Sequence, residues 1–386
     1  MNLRRRVLVI ARHFWPATND DTLRLYHWVQ HLRGLGAEVQ VATPRWHNAW
    51  PRRIVCDGVS VQRIDYPPSH TLRMGRYSRQ LGNWLAKVAG EFDAVYCDTI
   101  ELEAAAVLNT PQLAHLPLML RYAAPSAGIA MDTPASVPAK TLALCRRATT
   151  VLAADVRSQQ QLLAAGLPRA SIVRTAQIHG RCYDRSPEAR RRARQLLSEI
   201  NHDLFARGHD RVVVCPGELT REWHVLELIH ELAPLIESHR ALRVWVLGDG
   251  RQRGPIYEAL RHEGLHRVVA MPGLFTDLEE IFQAADLCIF PAPGLGLGWL
   301  LPTAIASGVP LLASDSPEAR RQLEPEADQL IYAAEQPLGL RQLFDQWLRQ
   351  PAQVSASVER VRQQCLRDES PCLGVADLFL SLEASA

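Results

Sequence analysis

A chain of 386 residues exceeds what one hydrophobic core usually organises, so two domains of ordinary size are expected. With 47% hydrophobic and 22% charged residues, the composition excludes disordered and membrane-embedded classes and describes a packed, water-soluble chain. The net charge of +2 hides an asymmetry: Met1–Thr175 carries 21 basic against 12 acidic residues, and the remainder 22 against 29.

The opening MNLRRRVLVIARHFW is basic, but its apolar run, Val7–Ala11, is too short for a signal-peptide core and meets Arg12 and His13. Neither export nor a transmembrane helix is expected. Eight cysteines are scattered without a C-x-x-C pair, and Cys97, Cys215 and Cys288 lie in apolar runs, which reads as buried free thiols in a reducing cytoplasm. Lys87 and Lys140 are the only lysines, so the second half has none.

Taken in chain order, Val7–Ala11 is a short strand, and Leu23, Tyr26, Val29, Gln30, Leu32 and Arg33 open an amphipathic helix that closes at Gly34-Leu35-Gly36. AEVQVATP is the next strand, completing the unit from which parallel sheets are built. FDAVYCD, LPLMLRY and TTVLAAD follow as buried strands, separated by helices at Glu101–Leu108 and Val156–Ala165. The arginine-rich SPEARRRAR leads a polar helix to about His202, after which RVVVCPGEL restarts the pattern as a strand ending in a glycine turn. HVLELIHELAPLI, IYEALRHEGL and LEEIFQAAD are helices, alternating with the strands LRVWVLGDG, VVAMPGL, LCIFPAP and VPLLASD. The expected division is a first domain over 1–177, a linker and leading helix over 178–210, a second domain over 211–372, and a last helix over 373–386 that crosses back to the first. Before the final strand lies PAPGLGLGWLLPTAIASG, a glycine turn leading into a helix, and no charged residue occurs from Pro291 to Ser314.

The second half resembles the nucleotide-sugar domain of glycosyltransferase family 4. The motifs that carry the resemblance are PGELTREWHVLELI, LRVWVLGDG, VVAMPGLFTDLEEIFQAADLCIFPAP and GLGWLLPTAIASGVPLLASD, and VLVIARHFWPATNDDTLRLYHWVQHLRGLGAEVQVAT matches the family's opening more loosely. The implied fold is α/β of the GT-B type, two Rossmann-like domains with parallel sheets facing across a cleft. The implied activity is transfer of a sugar from a nucleoside diphosphate sugar to a cell-surface polysaccharide or glycolipid, with retained anomeric configuration. The base is left open, and neither a metal nor a further cofactor is implied.

Carried over residue by residue, the motifs are incomplete. The family's diphosphate-binding arginine and lysine correspond to Glu218 and Trp223 in the turn Gly217-Glu218-Leu219-Thr220-Arg221-Glu222-Trp223. Arg221 is either a substitute phosphate ligand, since a guanidinium binds phosphate bidentately, or an exposed turn residue. The two glutamates that hold donor sugar and ribose correspond to Leu295 and Thr303, of which only Thr303 can hydrogen-bond through its side chain. Gly296 and Gly298 remain and free the backbone to offer N–H groups from a helix beginning near Trp299. The implied donor-binding set is Arg221, Gly217, Gly248, Gly250, Leu274, Gly296, Leu297, Gly298 and Thr303. These departures also admit a catalytically silent relative that serves as partner of a second glycosyltransferase or as a sugar-binding scaffold.

In the first half, the family's glycine pair is replaced by Asn19-Asp20, followed by Asp21; either aspartate would repel a diphosphate, and either is a plausible cap for the helix that follows. His13 and Asn19 are the acceptor-side candidates. Asp98 and Arg121 stand where many members carry histidines; they are weak catalytic candidates, with a structural ion pair as the plainer reading. His179 has no metal partner at ligand spacing, and no metal site is read. Arg45, Arg52, Arg53, Arg73, Arg76, Arg79 and Lys87 are interleaved with Trp46, Trp50, Tyr77 and Trp84. That mixture suits an anionic membrane surface, with a helix over Arg73–Val88 in the interface, as well as a plain solvated face; nucleic acid is not implied. The expected location is the cytoplasm, peripheral on the inner face of the membrane.

Overall fold

The computed structural model describes residues 5–17, 19–69, 71–123, 137–154, 156–174, 182–275, 277–333 and 338–367. The expected last helix over 373–386, His179 and Cys372 lie outside these residues. Described parts of Met1–Ala17 and Arg24–Gln177 form one compact unit, and those of Thr18–Leu23 and Ile178–Ser370 form the other.

The first unit contains β1 (Arg6–Ile10), α1 (Asp20–Gly34), β2 (Glu38–Pro44), β3 (Arg53–Cys56), β4 (Val59–Ile64), α2 (Thr71–Val88), β5 (Ala94–Cys97), α3 (Leu102–Leu108), β6 (Leu118–Tyr122), α4 (Ala139–Cys145), β7 (Thr150–Ala153), α5 (Val156–Ala164) and β8 (Ile172–Arg174). The start of α1, up to Leu23, is counted with the second unit. The sheet order is β3-β4-β2-β1-β5-β6-β7-β8, parallel except for the β3–β4 hairpin. The central strands read as continuous apolar runs because helices cover both faces: Leu8, Val9, Ile10, Leu120, Val151 and Leu152 are fully buried.

The second unit adds α6 (Pro187–Ile200), β9 (Arg211–Cys215), α7 (Val225–Ser238), β10 (Leu242–Leu247), α8 (Arg253–His262), β11 (Val269–Gly273), α9 (Glu279–Ala284), β12 (Leu287–Phe290), α10 (Leu300–Ala306), β13 (Leu311–Ser314), α11 (Pro317–Leu323), α12 (Ala327–Leu330), β14 (Ile331–Tyr332), α13 (Gly339–Arg349) and α14 (Pro351–Arg367). Its sheet runs β11-β10-β9-β12-β13-β14, all parallel. The polar helix α6 starts where Ser186 Oγ accepts the Ala189 N–H at 3.2 Å with Pro187 in the first turn. It is tied down by Arg194, whose guanidinium reaches Asp286 at 2.6 Å and the Ala284 carbonyl at 3.0 Å.

In each sheet the chain order reverses beside the first strand, between β1 and β5 and again between β9 and β12. At such a switch point the following connections diverge to opposite faces and leave a crevice at the carboxyl ends of the strands, where open α/β sheets take their ligands. The residues beyond β9 and β12 are the turn Gly217–Trp223 and the glycine loop Gly294–Gly298, so the two most informative sequence motifs flank one crevice.

Candidate donor site at the glycine loops

Three turns of the second unit are laced through their backbones. Leu219 N–H donates to Asp249 O at 3.1 Å, Gln252 N–H to Leu219 O at 2.8 Å, and Gly248 N–H to Gly273 O at 2.8 Å. The close approach explains two glycines: a Cβ on Gly248 would fall 1.9 Å from Gly217 O, and one on Gly250 would fall 2.4 Å from Leu219 O. Leu274, beyond the same set of turns, is exposed.

Trp223, at the position of the family lysine, is buried with its ring against both glycine turns. A Cβ on Gly217 would come within 2.2 Å of the indole, and one on Gly296 within 3.0 Å. The indole therefore fills the space that the glycines leave open, a packing role with no charge. Glu218, at the arginine position, is half-buried and accepts a hydrogen bond from the Asn19 side chain. Burial raises its carboxyl above the ordinary value against that bond, and the Asp20, Asp21 and Glu222 carboxylates raise it further. Arg221, in a 3-10 turn over Arg221–Trp223, is exposed.

Gly296 takes φ +73°, Gly298 is exposed, and the chain enters α10 at Leu300, with Leu301 N–H bonded to Gly296 O at 2.9 Å. Leu297 is buried, its carbonyl accepting from Gln322 Nε2 at 3.0 Å. Leu295 packs partly against the core. Thr303 lies one turn into the helix, wholly buried, and its Oγ1 has no hydrogen-bond partner among the described residues.

The N–H groups ahead of α10 are occupied by the chain itself. Asp20 Oδ2 accepts from Gly298 N–H at 2.7 Å, while Oδ1 accepts from Trp299 N–H at 2.9 Å and Leu300 N–H at 2.8 Å. Asp20 belongs with these residues in the second unit. The cap expected at Asp20 is found at Asn19 instead: Asn19 caps α1, its Oδ1 accepting Thr22 N–H at 2.9 Å, and Asp20 caps a helix 278 positions further along. Asn19, an acceptor-side candidate, thus spans Thr22 and Glu218 within the second unit. Burial and the Asp21 carboxylate push the Asp20 carboxyl above its ordinary value, against the pull of the three N–H groups.

At the switch point of the first sheet, Asp98 accepts from Arg24 Nη2 at 2.6 Å and Tyr96 OH at 2.7 Å, all three being buried. The ion pair at Asp98 is therefore made with Arg24 of α1, and Arg121 stands half-buried on β6. Arg12, beyond β1, holds Glu103 at 2.8 Å and Glu101 at 2.7 Å. Next to it, His13 is exposed and stacks on Trp46 with ring centroids 4.9 Å apart. Among the described residues no group of histidine, cysteine, aspartate and glutamate is arranged to hold a metal.

Residues 22–176 match the family model described as a glycosyl transferase 4-like domain, and residues 210–350 match that of glycosyl transferases group 1. The chain belongs to the glycosyltransferase 4-like family. Similar solved structures include sucrose-phosphate synthase from Thermosynechococcus elongatus, at 17% identity and TM-score 0.72, covering 99% of this chain and 100% of that one. Another is HepE of Anabaena in complex with UDP and glucose, at 16% identity, TM-score 0.68 and 98% coverage of each chain. WaaG, a glycosyltransferase involved in lipopolysaccharide biosynthesis, aligns at 16% identity and TM-score 0.68 over 97% of this chain and 100% of that one. Identity this low establishes the GT-B fold of this glycosyltransferase-family chain, with its two parallel sheets. No curated protein matches the sequence.

Proposed function

We propose that the chain transfers a sugar, with retention, from a nucleoside diphosphate sugar to a cell-surface polysaccharide or glycolipid acceptor. The observation that supports this reading most directly is the pair of glycine turns at the β9/β12 switch point, with three backbone N–H groups converging on one carboxylate. Groups that hold a carboxylate in this way suit a phosphoryl oxygen as well. HepE, of like fold, binds UDP and glucose. In the reaction, the bond from the sugar's anomeric carbon to the diphosphate oxygen breaks as the acceptor hydroxyl oxygen bonds to that carbon, and the hydroxyl proton leaves on the departing diphosphate. Negative charge grows on the leaving group, and Arg221, exposed in the turn beyond β9, is the cation offered to stabilise it. Thr303 supplies a hydroxyl for the donor's sugar or ribose.

A second reading, a silent partner of another glycosyltransferase, is favoured by one observation: Glu218, Trp223, Leu295 and Thr303 hold the positions of the family's cations and carboxylates. Calorimetric titration with UDP, GDP and ADP sugars separates the two. Binding of one donor below the millimolar range, weakened by Arg221→Ala, is the expected result. Absence of binding by every donor would sink the transferase reading and leave the silent one.

The basic helix α2 supports a further part of the reading, attachment to an anionic membrane surface. Arg73, Arg76, Arg79 and Lys87 are exposed on a helix that contains no acidic residue. Among the described residues no helix is long and apolar enough to cross a membrane.

A further inference from the structure

We propose that the loop joining β2 to β3 is the seat of an acidic saccharide: a sugar ring lies against its tryptophans, and the sugar's carboxylate or phosphate is drawn by Arg45, Arg52 and the buried charge of Arg63. The inference rests on the proposed transferase reading for the role of this ligand as acceptor, and on geometry for its chemistry.

The charge is the first observation. Arg63, on β4, is 2% exposed, and among the described residues its guanidinium meets no carboxylate. Its Nη1 donates to Pro51 O at 3.0 Å and its Nη2 to Trp15 O at 3.2 Å, while its Nε has no hydrogen-bond partner. The Trp50 and Trp15 rings have their centroids 5.0 and 5.8 Å from its central carbon. Carbonyls and ring faces supply only partial negative charge, whereas a buried ion is ordinarily matched by a full counter-charge. Burial, with Arg45 adding to it, holds the Arg63 pKa below the ordinary arginine value, as expected of a cation short of compensation. One carboxylate serves the other two cations: Asp65 holds Arg45 at 3.1 Å and Arg52 at 2.8 Å, so three guanidinium groups share one acid.

Position and rings choose among anions. Arg45 follows the last residue of β2 and Asp65 the last of β4, so the loop opens at the carboxyl end of the sheet, where open α/β sheets take their ligands. Its tryptophans are half-buried and fixed. Trp46 Nε1 donates to Arg12 O at 3.0 Å with the His13 ring stacked on it, and Trp50 lies against Arg63 while its carbonyl accepts from Arg45 Nε at 2.7 Å. Fixed rings among a few charged groups suit the flat apolar face of a sugar, whereas a membrane anchor needs apolar side chains that stand out into the bilayer. Arg52, with a side chain 69% exposed, is the guanidinium that can turn to the ligand and bind its carboxylate or phosphate bidentately.

The test titrates trigalacturonate, trehalose phosphate and the neutral maltotriose into the full chain, with and without UDP, and repeats the titrations on Arg52→Gln, Asp65→Asn and Arg169→Gln. Arg169, exposed ahead of β8, is the control for charge alone. At least one acidic sugar should bind about tenfold or more tighter than maltotriose, more weakly as salt rises, and the acid preferred tells carboxylate from phosphate. Arg52→Gln should weaken that binding about tenfold and Arg169→Gln by less than about twofold. Asp65→Asn, which frees Arg45 and Arg52 from their carboxylate, should tighten it about threefold or more, a change that loss of structure would not produce. Maltotriose binding as well as the acids, equal weakening by Arg52→Gln and Arg169→Gln, weaker binding in a folded Asp65→Asn, or no saccharide binding with or without UDP overturns the proposal. So does a loop that takes no sugar while Arg52→Gln lowers binding to phosphatidylserine vesicles, which would make it a membrane contact. Arg52 and Arg169 are exposed, so their comparison stands even where Asp65→Asn does not fold. The transferase reading fails separately: acidic sugar bound with these variant effects, but no nucleotide sugar bound, leaves a saccharide site without transfer. A nucleotide sugar bound without any acidic sugar leaves transfer without this acceptor.

Discussion

At the scale of single residues, buried charge separates positions that look alike in sequence. Asp98 and Glu101 are acidic residues that follow the same strand, yet Asp98 is buried under Arg24 and Tyr96 while the Glu101 side chain is 67% exposed beside Arg12. Removing one partner of a buried pair strands the other charge, whereas an exposed pair is screened by water. Asp98→Ala should lower unfolding stability by about 3–5 kcal/mol and Glu101→Ala by less than about 1 kcal/mol, measured by urea denaturation. Equal losses would show that exposure does not govern the two sites. The Asp20 carboxyl supplies a pH prediction. Its folded value is raised by burial and Asp21, and Glu218, itself raised, faces it, so the folded state holds the proton more tightly than the unfolded chain does. The stabilisation is therefore full below the unfolded carboxyl value, near pH 4, and is lost as pH rises through the raised folded value. Asp20→Asn lacks this titration. The stability of the wild type minus that of Asp20→Asn should fall as pH rises above about 4, and a difference that grows with pH would reverse the assignment.

At the scale of elements, most of what positions the site was legible, and what was missed has identifiable causes. The apolar runs and glycine turns marked β1, β2, β5, β6, β7 and β9 to β13, because short, mostly buried strands read as apolar runs whose length and bounding turn residues set them apart from helices. The hairpin β3–β4 went unread although its signal was present: Asp57-Gly58, between two alternating segments, is a two-residue turn pair. Both residues take positive φ, +46° and +75°, as such a turn demands. The surrounding arginines and tryptophans, read as a surface, obscured it. A Cβ on Gly58 would meet only the far end of the Arg33 side chain, which can move aside, so the left-handed φ of +75° is what calls for glycine. Gly58→Ala should then destabilise by more than about 1 kcal/mol in thermal or urea unfolding, and a neutral result would mean that the turn relaxes out of the left-handed region at little cost. The Asp20 contact had no local signal. Its partners lie 278 positions away, and backbone N–H groups carry no sequence signature. Trp223 was visible as a departure from the family lysine, but only its packing against Gly217 and Gly296 shows what the substitution does.

At the scale of the whole molecule, fold and charge distribution come from different features of the chain and predict different things. Alternating strands and helices required two parallel sheets, and the chain-order reversals within them locate the crevices. The excess of basic residues before Thr175 required no particular fold; it acquires a consequence for membranes through α2, where Arg73, Arg76, Arg79 and Lys87 are exposed without an acidic residue in the helix. Near an anionic bilayer each basic residue contributes about 1 kcal/mol, decaying within a Debye length, so attraction through this helix must depend on both lipid charge and salt. Binding to vesicles containing phosphatidylserine should exceed binding to pure phosphatidylcholine vesicles in low salt and weaken as salt rises. Replacing Arg73, Arg76 and Arg79 together by Gln removes about 3 kcal/mol of that attraction, a loss of about two orders of magnitude in the partition coefficient, measured by co-sedimentation. The three side chains are exposed, so the melting temperature should change little. Equal binding to neutral vesicles, or a triple variant that binds as the wild type does, would reduce α2 to a solvated face.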